Sequence, residues 1–187
     1  MIVPRRLTHM AATVGLSLLV FSLLVFAQKG NTGQLKTKIN PGRTGIFVDG
    51  KYLGPAANFR VARTYSLPAG EHEVLLTEPR YKDVTTKITI QPGKTTVLRQ
   101  SMEPLPAPKP PFGRLRILQG SSNKFGAVYL NGKYMGHIDE FSNASQALFI
   151  PPGEYQLKIA PVDGGQEHVE TIIIKENQTT TVKAGGK

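Results

Sequence analysis

The chain repeats itself, and this constrains its fold more than any other feature. The segment Gly45-Ile46-Phe47-Val48-Asp49-Gly50-Lys51-Tyr52-Leu53-Gly54 returns 82 residues later as Ala127-Val128-Tyr129-Leu130-Asn131-Gly132-Lys133-Tyr134-Met135-Gly136. Leu67-Pro68-Ala69-Gly70-Glu71-His72 is matched by Ile150-Pro151-Pro152-Gly153-Glu154-Tyr155, and Lys94-Thr95-Thr96-Val97 is echoed by Gln178-Thr179-Thr180-Thr181-Val182. Three matches in one order imply two copies of a small module rather than one large domain. Between the copies, Glu103 to Phe112 holds five prolines, a composition that favours an extended spacer of about 3.1 Å per residue. The organisation read from this is a leader over 1–27, a first module over 33–103, a Pro-rich linker over 104–112 and a second module over 113–184. Modules of about 70 residues without disulfides have thin cores, so the copies are expected to pack on each other or to dimerise. The linker composition argues instead for separation, and the oligomeric state stays open.

Within each copy the periodicity is that of strands. Leu35, Thr37 and Ile39 alternate with Lys36 and Lys38, which puts one face inward and the other in water. Asp49-Gly50 and Asn131-Gly132 lie between short apolar runs, and such pairs accept the positive φ angles of a type I′ hairpin turn. Pro68-Ala69-Gly70 and Pro151-Pro152-Gly153 then turn the chain into further apolar and β-branched runs, ending on a Thr/Val strand in each copy. No helical stripe occurs after the leader. The expected fold class is all-β: two small tandem β-sandwiches behind an N-terminal signal or anchor helix.

These residues carry a resemblance. A Val-Asp-Gly-Lys-Tyr-Leu-Gly hairpin, a Leu-Pro-Ala-Gly-Glu-His turn, an aromatic at Pro79-Arg80-Tyr81 and a Thr-rich strand after Pro92-Gly93 resemble the PEGA domain family. The first copy matches throughout. The second keeps the hairpin and Pro-Pro-Gly-Glu but has Pro161-Val162-Asp163-Gly164-Gly165 in place of Pro-x-x-Tyr. The resemblance implies a β-sandwich of bacterial and archaeal envelope or surface proteins, akin to Ig-like, surface-layer and carboxypeptidase-regulatory-like domains, with no enzymatic activity attached to it.

The leader points to the same compartment. Arg5 and Arg6 precede an uncharged stretch whose densest part, Leu16 to Phe26, is 11 residues long. That is within the roughly 7–15 of a signal peptide and short of the ~20 of a membrane span. Val25-Phe26-Ala27 suits signal peptidase, so cleavage is expected after Ala27; retention would leave the protein tethered to the inner membrane as an accessory subunit of a larger complex. Either outcome exports the rest to the periplasm or cell surface, with membrane contact only if the leader is kept.

Catalytic constellations are missing from the pattern. The chain has no Cys, and its four His (9, 72, 137, 168) fall in non-equivalent places. No nucleophile elbow or zinc-protease motif occurs, and the carboxylates are scattered. No catalytic residue, cofactor or metal is therefore expected; a carboxylate-based glycan hydrolase or peptidase would need acids brought together by folding. Gly45 to Lys51 has phosphate-loop spacing, but its interior reads as strand and its end as a hairpin turn. The change from Asp49 to Asn131 between copies assigns both, with Gly50 and Gly132, to turn structure rather than to acid chemistry. Tyr52 and Tyr134 are expected to pack across strands. Glu71 and Glu154 read as exposed residues at strand starts.

The formal charge of +10 is unevenly spread. Residues 33–103 carry eleven Lys or Arg against six acids, whereas 113–184 carry seven against seven. Arg43, Arg60, Arg63, Arg80 and Lys82 fall near predicted loops and are the candidate contacts for an anionic partner, an envelope polymer or an envelope protein. Nucleic acid is disfavoured by the export signal and by the lack of any recognition element.

Overall fold

The computed structural model describes residues 31–60, 63–107, 109–120 and 124–184; the leader and the expected cleavage after Ala27 lie outside them. The first copy forms seven strands: β1 (Thr32–Asn40), β2 (Gly45–Val48), β3 (Lys51–Pro55), β4 (Tyr65–Pro68), β5 (Gly70–Thr77), β6 (Val84–Ile90) and β7 (Thr95–Ser101). They make a four-stranded sheet ordered β3-β2-β5-β6 and a three-stranded sheet ordered β4-β1-β7. The second copy repeats this with β8 (Gly113–Gln119), β9 (Ala127–Leu130), β10 (Lys133–His137), β11 (Leu148–Ile150), β12 (Gly153–Ala160), β13 (His168–Ile174) and β14 (Thr179–Ala184). Its sheets are β10-β9-β12-β13 and β11-β8-β14. The described residues are thus all-β apart from three short 3-10 turns, as the alternation and turns indicate.

The hairpin turns take positive φ at both central residues: 50° and 78° at Asp49 and Gly50, 49° and 79° at Asn131 and Gly132. Each turn side chain also holds the neighbouring strand. Asp49 Oδ1 accepts from the Glu73 amide at 3.0 Å, and Asn131 Oδ1 accepts from the Gln156 amide at 2.8 Å. One oxygen suffices for this, which is why the amide replaces the acid between copies. The pairing that closes each three-stranded sheet is parallel, β1 with β7 and β8 with β14, and joins the ends of each copy.

Each sandwich has its own core. In the first, Leu35, Ile46, Val74 and Leu76 are fully buried between the sheets; in the second, Leu115, Val128, Leu157 and Ile159 hold the corresponding places. Thr37, buried among them, donates its hydroxyl to the Ala56 carbonyl at 2.7 Å, so no polar group is orphaned there.

The linker does not hold the sandwiches apart. Its start is fastened to the first by the Leu105 amide, which donates to the Arg80 carbonyl, and by a bridge between Tyr81 and Pro104. At its far end the Phe112 carbonyl accepts from the Asn177 amide. Tyr134 of the second copy leans on the outer face of the first hairpin, its ring centroid 5.6 Å from both Phe47 and Tyr52. Its hydroxyl lies 3.3 Å from that of Tyr52, the residue at its own position in the other copy. Only 5% of Tyr134 is exposed, and burial pushes the Tyr52 and Tyr134 hydroxyls well above the ordinary tyrosine range. Gly45 shows how close the approach is, since a Cβ there would sit 2.6 Å from the Tyr134 ring. The spacer composition is overridden because each hairpin exposes an aromatic face that gains by leaving water.

Candidate functional site

Four of the five cations marked by the sequence sit on loops at one end of the first sandwich: Arg43 after β1, Arg60 after the 3-10 turn Ala56–Phe59, and Arg80 and Lys82 between β5 and β6. Arg63 lies just before β4. Folding gives them unequal roles. Glu78 is buried, 2% exposed, and accepts from Arg43 Nε at 3.0 Å, from Arg80 Nε at 2.8 Å and from the Arg80 amide at 2.8 Å. Arg43 and Arg80 therefore neutralise an interior carboxylate. Arg80 also reaches Glu140 of the second sandwich at 3.7 Å, where Glu140 in turn lies 2.8 Å from His137, so the cluster continues across the junction. Lys82 pairs with Glu103 at 2.6 Å. Arg60 and Arg63 are exposed and form no ion pair among the described residues.

A second set of cations comes from the sheet register. The outer face of β1 carries Lys36 and Lys38, and Lys38 lies directly beside Arg99 of β7. Like charges side by side on one face repel, and among the described residues none of the three has an acidic partner. The sequence exposed Lys36 and Lys38 by their alternation but gave no sign that Arg99 would join them, because the parallel pairing brings together residues sixty positions apart. Within the first sandwich, Lys36, Lys38, Arg99, Arg60 and Arg63 belong, with Lys51 and Lys94, to the cations that form no ion pair among the described residues.

His72 is a further residue that sequence reasoning passed over. It is buried on β5, with Nδ1 2.6 Å from Asp49 Oδ2 and Nε2 2.9 Å from the Pro68 carbonyl. Both ring nitrogens face acceptors, an arrangement satisfied only by the imidazolium. The hydrogen bond to Asp49 is the main reason that the pKa of His72 is raised above 6.5 and that of Asp49 lowered below 3.8. In the second copy Tyr155 donates to Pro151 at 2.9 Å, so the position clamps the Pro-x-Gly turn in both. The imidazolium stabilises the fold fully below about pH 6.5 and this is lost as pH rises through the raised value. The carboxylate contributes above about pH 3.8 and is lost as pH falls through the lowered one. The melting temperature of the first sandwich is accordingly expected to decline from pH 6 toward pH 9, and His72→Tyr should flatten that slope. Melts of both proteins at several pH values check this; equal slopes would show that the pair carries no linkage.

Among the described residues no three His, Asp or Glu side chains group as a metal site. None of their helices is long and apolar enough to cross a membrane.

A two-sheet all-β module with a glycine hairpin, a Pro-x-Gly turn and a parallel closing strand defines a small sandwich class. The model of the PEGA domain matches residues 32–106, and the first sandwich is a PEGA domain. No curated protein matches the chain. Among solved structures, it is similar to the Bacillus anthracis TIE protein at 16% identity and a TM-score of 0.25, over 82% of this chain and 33% of that one. It is also similar to a Bacteroides ovatus mixed-linkage glucan utilization locus protein, SGBP-B, solved with a mixed-linkage heptasaccharide. There the identity is 18% and the TM-score 0.21, over 76% of this chain and 43% of that one. The chain thus spans less than half the length of either.

Proposed function

We propose that the protein is an exported, non-catalytic binding or scaffolding element of the cell envelope, two PEGA-type sandwiches of which the first faces an anionic partner. The observation that carries this reading is the uncompensated row of Lys36, Lys38 and Arg99 on the outer face of the first sandwich, to which the exposed Arg60 and Arg63 of the same sandwich add. A charge row that costs stability through its own repulsion is relieved when an anion lies across it. The PEGA domain supports a surface-associated setting. Docking of the second sandwich leaves this sheet face open, because the contact uses the opposite sheet, through β2 and β3.

The test is co-sedimentation of residues 28–187 with purified wall sacculi and with anionic vesicles across a salt series. Binding is expected to weaken about tenfold or more between 50 and 300 mM salt as screening shortens the reach of the charges. A variant with Lys38, Arg99, Arg60 and Arg63 changed to Glu should lose it while keeping its melting temperature. Arg43 and Arg80 are left in place because Glu78 depends on them. Binding that survives in the variant would place the contact elsewhere, and no binding at low salt would sink the anionic-partner reading.

A further inference from the structure

The second sandwich carries a cleft of about 350 Å³ where the linker arrives, bounded by Pro111, Phe112, Arg114, Phe149, Glu176 and Asn177. Phe149 stands on the short strand β11 with 54% of its surface exposed, comparable with Val169 and Ile173 on β13. Phe112 meets it edge-to-face, with ring centroids 6.2 Å apart. The Arg114 guanidinium lies 5.4 Å from the Phe149 ring centroid and forms no ion pair among the described residues. Asn177, on the turn between β13 and β14, holds a left-handed φ of 57° with its carboxamide 3.5 Å from Glu176.

The first copy serves as an internal control for what the fold itself requires. In the three-stranded sheets, Ser66 pairs with Gln34 where Phe149 pairs with Arg114. In the turn before the last strand, Pro92 and Gly93 stand where Glu176 and Asn177 stand. The left-handed position is Gly93 with φ 67° in one copy and Asn177 in the other, so an amide has been placed where glycine meets the backbone demand with less strain. Four positions around one cleft differ between the copies: Ser66, Gln34, Pro92 and Gly93 in the first, an aromatic, a cation, a carboxylate and a carboxamide in the second. Both sets are compatible with the same two-sheet fold.

We propose that this cleft is a binding subsite for an acidic saccharide. The half-exposed ring of Phe149 offers an apolar surface of the kind that the C–H face of a pyranose packs on, and the volume is at the small end of ligand sites, about 300–1,000 Å³, as fits one or two sugar units. Arg114 offers paired N–H donors in the geometry that a carboxylate accepts. Glu176 and Asn177 at the rim present acceptors and donors to hydroxyls. A purely apolar ligand would leave Arg114, Glu176 and Asn177 without use, and a bare anion would leave Phe149 without use. The subsite is independent of the basic face on the first sandwich.

The test uses the exported chain, residues 28–187, titrated with a linear oligomer of galacturonic acid, with a neutral glucose oligomer of equal length and with acetate, followed by amide chemical shifts. The acidic oligomer is expected to shift Arg114, Phe149 and Asn177 with millimolar or tighter affinity. Phe149→Ser and Arg114→Gln, which restore the residues of the first copy, should each weaken it about tenfold. The variant with Lys38, Arg99, Arg60 and Arg63 changed to Glu should keep the shifts at Arg114, Phe149 and Asn177, so that this site and the first-sandwich surface fail or succeed separately. The assignment is overturned if the oligomer shifts nothing at the cleft, if acetate gives the same shifts at the same concentration, or if the neutral oligomer binds as tightly.

Discussion

Replacing Tyr134 by alanine is expected to separate the two sandwiches without unfolding either. Its ring is the main apolar contact across the junction, touching Phe47 and Tyr52 while almost wholly buried. Truncating a buried aromatic costs about 3–5 kcal/mol in a core, and here most of that loss falls on docking rather than on either fold. Small-angle scattering should report a larger radius of gyration, and the Tyr52 hydroxyl, no longer buried at the junction, should titrate closer to the ordinary tyrosine range. Gly45→Ala should act in the same direction, because its methyl would lie 2.6 Å from the Tyr134 ring. An unchanged radius for Tyr134→Ala would mean that the linker clamps and the Arg80 to Glu140 ion pair hold the sandwiches by themselves.

Leu76→Ala is expected to unfold the first sandwich at room temperature. Leu76 is fully buried on β5, next to Ile46 in the sheet, and deletion of such a side chain costs about 2–5 kcal/mol. A module of this size commands about 3–5 kcal/mol in all, so little would be left. Amide resonances of residues 32–101 should lose their dispersion while those of 113–184 keep theirs, since Leu157 and Ile159 pack in a separate core. Collapse of both sets together would show a single cooperative unit; retention of both would show that the first core is far more stable than its size allows.

The residues that made the fold legible act locally. Asp49-Gly50 and Asn131-Gly132 announce hairpins because two adjacent residues decide the turn, and the alternation of Leu35, Thr37 and Ile39 exposes the buried face of β1 within five residues. What stayed hidden depends on pairs far apart in the chain. Glu78 gives no sign of its burial, since the two arginines that neutralise it come from different loops and its place in the second copy is held by Pro161. His72 looks like an ordinary polar residue until β2 and β5 bring Asp49 beside it. Arg99 joins Lys38 only through a parallel pairing that no short motif encodes. The tyrosines were legible as residues packing across strands, which they do on Phe47 and Tyr129; that they also meet each other follows from how two finished sandwiches fit, which local sequence does not specify.

Tyr52 touches the residue at its own position in the other copy, so the same hairpin aromatic serves both sides of the junction. Between free modules so small a patch would hold only at high concentration, because association has to overcome the loss of translational and rotational freedom. The nine-residue linker removes most of that cost: each sandwich sees the other at an effective concentration on the order of millimolar, whatever the amount of protein in the cell. The small aromatic contact thereby works as a fixed internal joint, and it leaves the three-stranded sheets of both sandwiches outside the junction, one bearing the cation row and the other Phe149.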